Sequence, residues 1–342
     1  MDREDNRLQM FKRVDEFIRT VINPVLPNAK LAESYINCFS DDNSPTYFDG
    51  KLSSRELFKD TEYEYKGDGK FIHYTSLFGL KAILDSGFLR MSEFGNLIDT
   101  SELNYGASVF KENEIFQYKQ TNIDQLRENI FCLSACQSSK STKINDLMWE
   151  VYGDKGKGII IEFELTKKNP DFFILGNIQY GEDAKKPLEK IKALYEQYLN
   201  DVKTALPSNF IELLVELQSF HKAKRYEGES EIRLLFKKDK FFPSETIYKD
   251  INSNQEVKHF NKLFLKGRHP YSKKEIKIDK SSNYSYFDEF PQIEIKSIIL
   301  GFNISVENKV AITDLLNEIK AIYKYEFEIF QINNEKEIIK MR

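Results

Sequence analysis

The sequence is poor in cysteine, in tryptophan and in long apolar runs. Three cysteines, Cys38, Cys132 and Cys136, are an odd and low count for 342 residues, which argues against a disulfide scaffold and fits a reducing cytosol. Cys132 and Cys136 have no cluster of His or Cys beside them, so no metal site is expected. No apolar run reaches the ~18 residues that a membrane span needs. The opening Met1-Asp2-Arg3-Glu4-Asp5 is charged and lacks the apolar stretch of a signal peptide. A cytoplasmic chain with no membrane partner is the expectation. A charge imbalance is missing too: 54 acidic residues meet 50 basic ones, for a net charge of -4. That leaves no global electrostatic reason for nucleic-acid binding, though a local basic patch remains open. Familiar signatures are also absent: no Walker loop, no G-x-G-x-x-G after a strand, no H-E-x-x-H and no G-x-S-x-G.

What is present is aromatic and apolar. With 27 Phe, 18 Tyr and 41% hydrophobic residues, the chain can fill a sizeable core. Its length suits one large domain or two ordinary ones. Residues 5–22 carry Leu8, Phe11, Val14, Phe17, Ile18, Val21 and Ile22 at helical spacing, and Asn23-Pro24 ends the run. The span 38–50 reads as a loop, and the chain stays polar and irregular to residue 69. Residues 1–69 are expected to form a helical N-terminal extension packed on a main domain, 70–342.

The main domain opens with a strand at 70–75. Ser76 caps a helix bearing Leu77, Leu80, Ile83 and Leu84, closed by Gly87. Strands are read at 88–92, 129–135, 158–164, 172–180, 229–236, 273–279, 293–300 and 325–331. Helices are read at 101–119, 147–152 (capped by Asn145 or Asp146), 184–204, 208–222, 254–266 and 305–321. This mixed order, without an internal repeat, predicts an α+β domain.

The stretch with most chemistry is Glu229 to Phe236. Read as a strand, it sends Glu229, Glu231 and Arg233 to one face and mostly apolar residues to the other. Two carboxylates at that spacing raise each other's pKa while Arg233 opposes them. The arrangement is either a catalytic carboxylate held by its neighbours or the charged outer face of a half-buried strand. Other candidates have equally plain alternatives. His73 is a ligand-bonding strand histidine or a satisfied structural one. Trp149 and Tyr152, three apart on a short helix, are an aromatic wall for a planar ring or core packing. Asn96, Asp99 and Glu102 are most often turn and cap residues. Cys132, in an apolar strand, reads as inert core.

Taken in order, His73-Tyr74-Thr75-Ser76, the Leu80/Ile83/Leu84/Gly87 helix, Asn96-x-x-Asp99-x-x-Glu102, Cys132-Leu133-Ser134, Met148-Trp149-x-x-Tyr152-Gly153, the Gly158 strand, Glu229-x-Glu231-x-Arg233 and Ile298-Ile299-Leu300-Gly301 resemble the bacterial domain-of-unknown-function 2971 family across residues 70–320. The opening strand and helix are more distantly similar to the ADP-ribosyltransferase superfamily. That resemblance implies a mixed, split β-sheet core of ADP-ribosyltransferase-like type flanked by helices. It also implies NAD as a substrate, held in the split. His73 would bond a ribose hydroxyl, and Tyr152 or Trp149 would stack on nicotinamide. Glu231, or less favourably Glu229, would bond the 2′-hydroxyl. Tyr74, Thr75 and Ser134 would line the site, with Arg90 or Lys222 at the pyrophosphate. The implied acceptor is a nucleic acid or a protein, with Lys222, Lys224 and Arg225 as a local basic patch. A bacterial toxin or phage-defence effector is the implied setting. The alternative is a non-catalytic component of a defence system that binds nucleotide, nucleic acid or a partner.

Overall fold

The structure, a computed structural model, describes residues 3–39, 47–96, 100–110, 127, 129–166, 173–201, 206–237, 246–249, 257–268, 291–333 and 335–341. Its hub is β5 (Ile130–Gln137). One edge of β5 pairs along its length with β10 (Glu231–Lys237), which pairs in turn with β7 (Phe173–Asn177). The other edge is shared by two strands. β4 (Phe88–Glu93) pairs through Ser92–Cys132 and Glu93–Phe131. β3 (Lys70–Thr75) pairs through Phe71–Gln137 and Ile72–Cys136. Residues 133–135 pair with neither, so the sheet forks at Ser134.

One arm of the fork runs from β3 through β6 (Ile159–Leu165), β13 (Ile293–Leu300) and β14 (Glu328–Ile332) to β15 (Ile338–Lys340). The other runs from β4 through β12 (Val257–Phe264) to β11 (Thr246–Lys249). A parallel bridge between Leu265 and Ile293 ties the arms again beyond the fork. The strands of this sheet pair antiparallel except β13 with β14, which with the Leu265–Ile293 bridge makes the sheet mixed. Two small ribbons lie apart: β1 (Leu31–Phe39) with β2 (Tyr47–Leu52), and β8 (Gln179–Tyr180) with β9 (His221–Lys222).

Helices cover both faces. α1 (Arg3–Phe17) continues as a π-helical turn over Ile18–Ile22. α2 (Leu77–Ser86) joins the two prongs of the fork. Its Ser76 hydroxyl accepts from Gly79 N, and Gly87 closes it at φ 76°, a left-handed conformation that glycine adopts without a Cβ penalty. α3 (Thr100–Ala107), α4 (Lys140–Lys143), α5 (Asp146–Val151), α6 (Lys186–Asp201), α7 (Phe210–Gln218) and α8 (Val306–Tyr323) complete the set described here.

Strand alternation divides the core. Leu133, Ala135, Leu234 and Phe236 meet Leu80 and Leu84 of α2 and Leu316 and Ile319 of α8 on one face. On the opposite face Cys132, Leu235 and Ile174 pack under α1, α6 and α7, through Val14, Phe17, Leu188, Ile191 and Leu214. Further along that same face, Ile72, Tyr74, Cys136 and Ile160 pack under Met148 and Trp149 of α5. The seam between these two clusters holds the polar residues of interest.

The mixed α+β order is as the sequence predicts, and three local readings are corrected. The expected helix at 254–266 is strand β12, because the β4 edge pairs with it from Phe260 to Phe264. The helix expected to reach residue 222 stops at Gln218, and His221–Lys222 pairs with β8 instead. The loop expected at 38–50 includes ends of a β1–β2 hairpin, whose pairing supplies the order its polar composition hid. The strand expected at 273–279 and the position of Asp99 lie outside the described residues.

Candidate functional site

Glu229 and Glu231 reach one site by different routes. The strand β10 begins at Glu231, and Glu229 closes a 3-10 turn over Lys224–Glu229. Ser230 joins them at φ 47°, ψ 47°. The expected alternation from residue 229 is therefore corrected: a left-handed residue breaks the strand period. The expected exposed charged face is corrected as well, because β10 is buried on both faces.

The turn nevertheless points both carboxylates at Lys222. Its Nζ lies 2.8 Å from Glu229 Oε2 and 2.5 Å from Glu231 Oε2. On the other oxygen of Glu231, Arg233 donates from Nε at 2.9 Å and approaches with Nη2 at 2.8 Å. The Ser134 hydroxyl donates to the same oxygen at 2.5 Å. Arg233 also donates to Ser219 O from its remaining nitrogen. The side chains of Lys222, Glu231 and Arg233 are 4%, 4% and 2% exposed. Glu229, at 10%, marks the solvent side. There Tyr152 O–H donates to Glu229 Oε1 at 2.8 Å from a half-open position. Tyr180 accepts from Glu231 N at 2.8 Å, and Cys136 Sγ reaches Glu229 O.

Burial pushes Glu231 upward, but Arg233, Lys222 and the Ser134 hydroxyl prevail and hold it below the usual carboxylate range. Cys136 goes the other way: burial, with Glu231 and Glu229 nearby, pushes its thiol up to about 12. It is no nucleophile at neutral pH. Burial and the adjacent Glu229 also raise Tyr152, which stays a neutral donor.

His73 meets this network from behind. By strand alternation it shares the face of Phe71, while Ile72 and Tyr74 face the α5 side. At the fork its ring bonds the backbone of Ser134, and burial lowers its pKa, against that bond. His73 and Glu231 thus converge on one residue, Ser134, from opposite faces of β5.

The remaining sequence candidates are dispersed. Tyr74 is core: its hydroxyl donates to Thr142 O, and its ring meets Trp149 edge-on at 5.3 Å. Trp149 is 1% exposed and donates from its indole N–H to Lys143 O. Of the two expected wall residues, only Tyr152 presents its ring to solvent. Thr75 ends β3, with its carbonyl 2.4 Å from where a Cβ on Gly158 would stand, so Gly158 is required for this approach. Arg90 is exposed on β4, its guanidinium 4.8 Å from the Phe260 ring centre. The expected basic patch loses Lys222 to the buried network. Lys224 pairs with Glu227 at 2.7 Å, and Arg225 lies 4.7 Å over the Tyr226 ring. No group of three His, Cys, Asp or Glu side chains suited to a metal occurs among the described residues. No described helix is long and apolar enough to cross a membrane.

Sequence reasoning missed Tyr180 and placed Lys222 in a surface basic patch, whereas its side chain is buried. Both come from β8 and β9, strands of two residues each, too short for a period to register.

Comparison with known proteins gives one likeness. Residues 148–234 match the family described as protein of unknown function DUF2971. The match is narrower than residues 70–320. It takes in Tyr152, Lys222, Glu229, Glu231 and Arg233 and leaves out His73 and Ser134. No curated protein and no solved structure matches the chain.

Proposed function

We propose that the protein is an ADP-ribosyltransferase-like enzyme that cleaves NAD and passes ADP-ribose to a macromolecule. The observation that supports this most is the junction at Ser134. It joins a histidine in a forked sheet to a carboxylate held ionised in a dry site. Glycosidic cleavage runs through an oxocarbenium-like transition state, in which bonds to the sugar 2-hydroxyl strengthen. An ionised carboxylate has about four acceptor positions. Glu231 Oε1 receives Ser134 and Arg233, while Oε2 receives Lys222 and keeps a second lone pair for a hydroxyl donor. In the reaction the C1′–N bond of NAD breaks and its electron pair leaves with neutral nicotinamide. The acceptor's nucleophile bonds C1′ and gives up its proton. Tyr152, at the open side, supplies a ring face and a neutral O–H beside Glu229.

One observation favours a second reading, a non-catalytic module for a nucleotide, a nucleic acid or a partner protein. Glu231 is 4% exposed, and His73 lies across β5 from it. In that reading the network is structural.

The test is nicotinamide release from NAD by the purified protein, with and without cell lysate, beside Glu231→Gln. Release that falls at least ~100-fold in the mutant, with the fold unchanged by circular dichroism, supports the enzyme; a loss of that size is typical for one electrostatic group aimed at the transition state. Release at an equal rate from both proteins, or from neither, overturns it.

A further inference from the structure

Two carboxylates two residues apart share one dry seam, and an ammonium stands between them. Buried like charges at this range do not both persist unless a cation offsets them; otherwise one takes up a proton. Arg233 is committed to Glu231 Oε1 and to Ser219 O. Lys222 bridges Glu229 Oε2 and Glu231 Oε2. Its backbone is pinned as well: β9 pairs with β8, and Gly181 N donates to Lys222 O. The other groups facing the pair are Ser134 and Cys136 from β5, Tyr152 at the end of α5, Tyr180 from β8 and the Tyr226 ring, 5.4 Å from the ammonium. None of these is a cation; among the described residues the second cation on the pair is Arg233.

We infer that Lys222 is a positioning residue: by bridging Glu229 and Glu231 it keeps both charged in the seam and holds Glu231 Oε2 in place for a substrate hydroxyl. The second clause rests on the NAD-cleaving reading. The first does not, and it is tested without NAD.

The experiment measures the unfolding equilibrium of the full chain in urea from about pH 5 to about pH 8. The proteins are wild type, Lys222→Met, Lys222→Arg and the double variant Glu229→Gln/Lys222→Met. In Lys222→Met the folded pair binds a proton that the unfolded chain has released, so its carboxylate pKa is raised on folding. A group raised on folding stabilises at low pH and loses that contribution as pH rises through the folded value. The penalty of Lys222→Met, relative to wild type, therefore grows with pH by up to about tenfold in the unfolding constant per pH unit. Lys222→Arg and the double variant, which restore the balance of charge, track the wild-type slope. A penalty in Lys222→Met that is constant across the range overturns the inference, since lost packing alone does not titrate. If Lys222→Met is unfolded throughout, the double variant decides: folded with the wild-type slope supports the inference, and unfolded overturns it. Nicotinamide release is read on the same proteins. Activity lost in Lys222→Met and restored by Arg supports the positioning clause. If wild type itself releases none, the NAD reading fails while the charge result stands on the urea data.

Discussion

Two buried glutamates show how partners decide whether burial prevails over the charge of a carboxylate. Glu231 meets a guanidinium, an ammonium and a hydroxyl, and is held ionised. Glu216, on α7, is 1% exposed and among the described residues meets one counter-charge, Lys237, at 2.5 Å. No other donor among the described residues reaches its oxygens. Burial wins there and, despite Lys237, pushes its pKa up to about 7. The sign of the consequence follows from linkage. A carboxylate raised on folding favours the folded state below its unfolded value and loses that contribution as pH rises through about 7. Replacing it with glutamine removes the titration. Glu216→Gln should therefore gain on wild type as pH rises from about 6 to about 8, by on the order of 1 kcal/mol. Midpoints of thermal unfolding at the two pH values check this. A gap between the proteins that does not change with pH would show that Lys237 keeps Glu216 charged throughout. The sequence marks Glu231 by its alternation with Glu229 and Arg233, and it marks nothing at Glu216. Glu216 reads as one more acid on a helix, and its enclosure comes from the sheet behind it.

At the level of elements, what the sequence showed was whatever carried its own local signal. The Ser76 cap and the Gly87 stop stand where the spacing put them, and of the two caps it offered, Asn145 and Asp146, the helix uses Asn145. Strand β12 did not: besides the nearby β11 it pairs with β4, more than 160 residues earlier, and no local pattern reports such a partner. The segment from Ser139 to Gly153 is the element most relevant to the site. It straps across the α5 face, held by Tyr74 to Thr142 O, by Lys143 to Glu162 at 2.8 Å and by the Trp149 indole. Asn145 does two things in it. Its Oδ1 accepts from Leu147 N and Met148 N, and its Nδ2 donates to Gly228 O at 2.9 Å, in the turn that carries Glu229. Asn145→Ala should cost ~1–2 kcal/mol as a lost cap. It should also loosen that turn, seen as faster amide exchange at residues 226–230. Asn145→Asp keeps the cap and loses only the bond to Gly228. A protected turn in Asn145→Asp would show that the strap does not hold Glu229.

For the whole molecule, the question is whether the residues before β3 are an appendage. The sequence marks them as an extension because their composition turns polar after residue 22. Their packing says that they complete the helical layer. Val14, Phe17, Ile18, Val21 and Ile22 share one core with α6, α7 and the sheet. Phe17 alone meets Tyr195, Tyr198 and Phe210 edge-on, at 6.1, 5.2 and 4.9 Å between ring centres. Tyr63 reaches the ring of His221, the neighbour of Lys222, at 3.2 Å, and His221 bonds Leu217 O and Ala184 O. The layer that α1 seals therefore carries the strand that carries Lys222. Phe17→Ala should cost ~3–5 kcal/mol, the range for an aromatic removed from a packed core. A chain that begins at residue 70 should expose the aromatic faces of α6 and α7 and aggregate. Urea unfolding of Phe17→Ala and size-exclusion chromatography of the truncated chain measure the two effects. A truncated chain that runs as a compact monomer, with the cooperative unfolding of the full one, would show that the helical layer needs no contribution from α1. The site would then rest on the sheet and the strap alone.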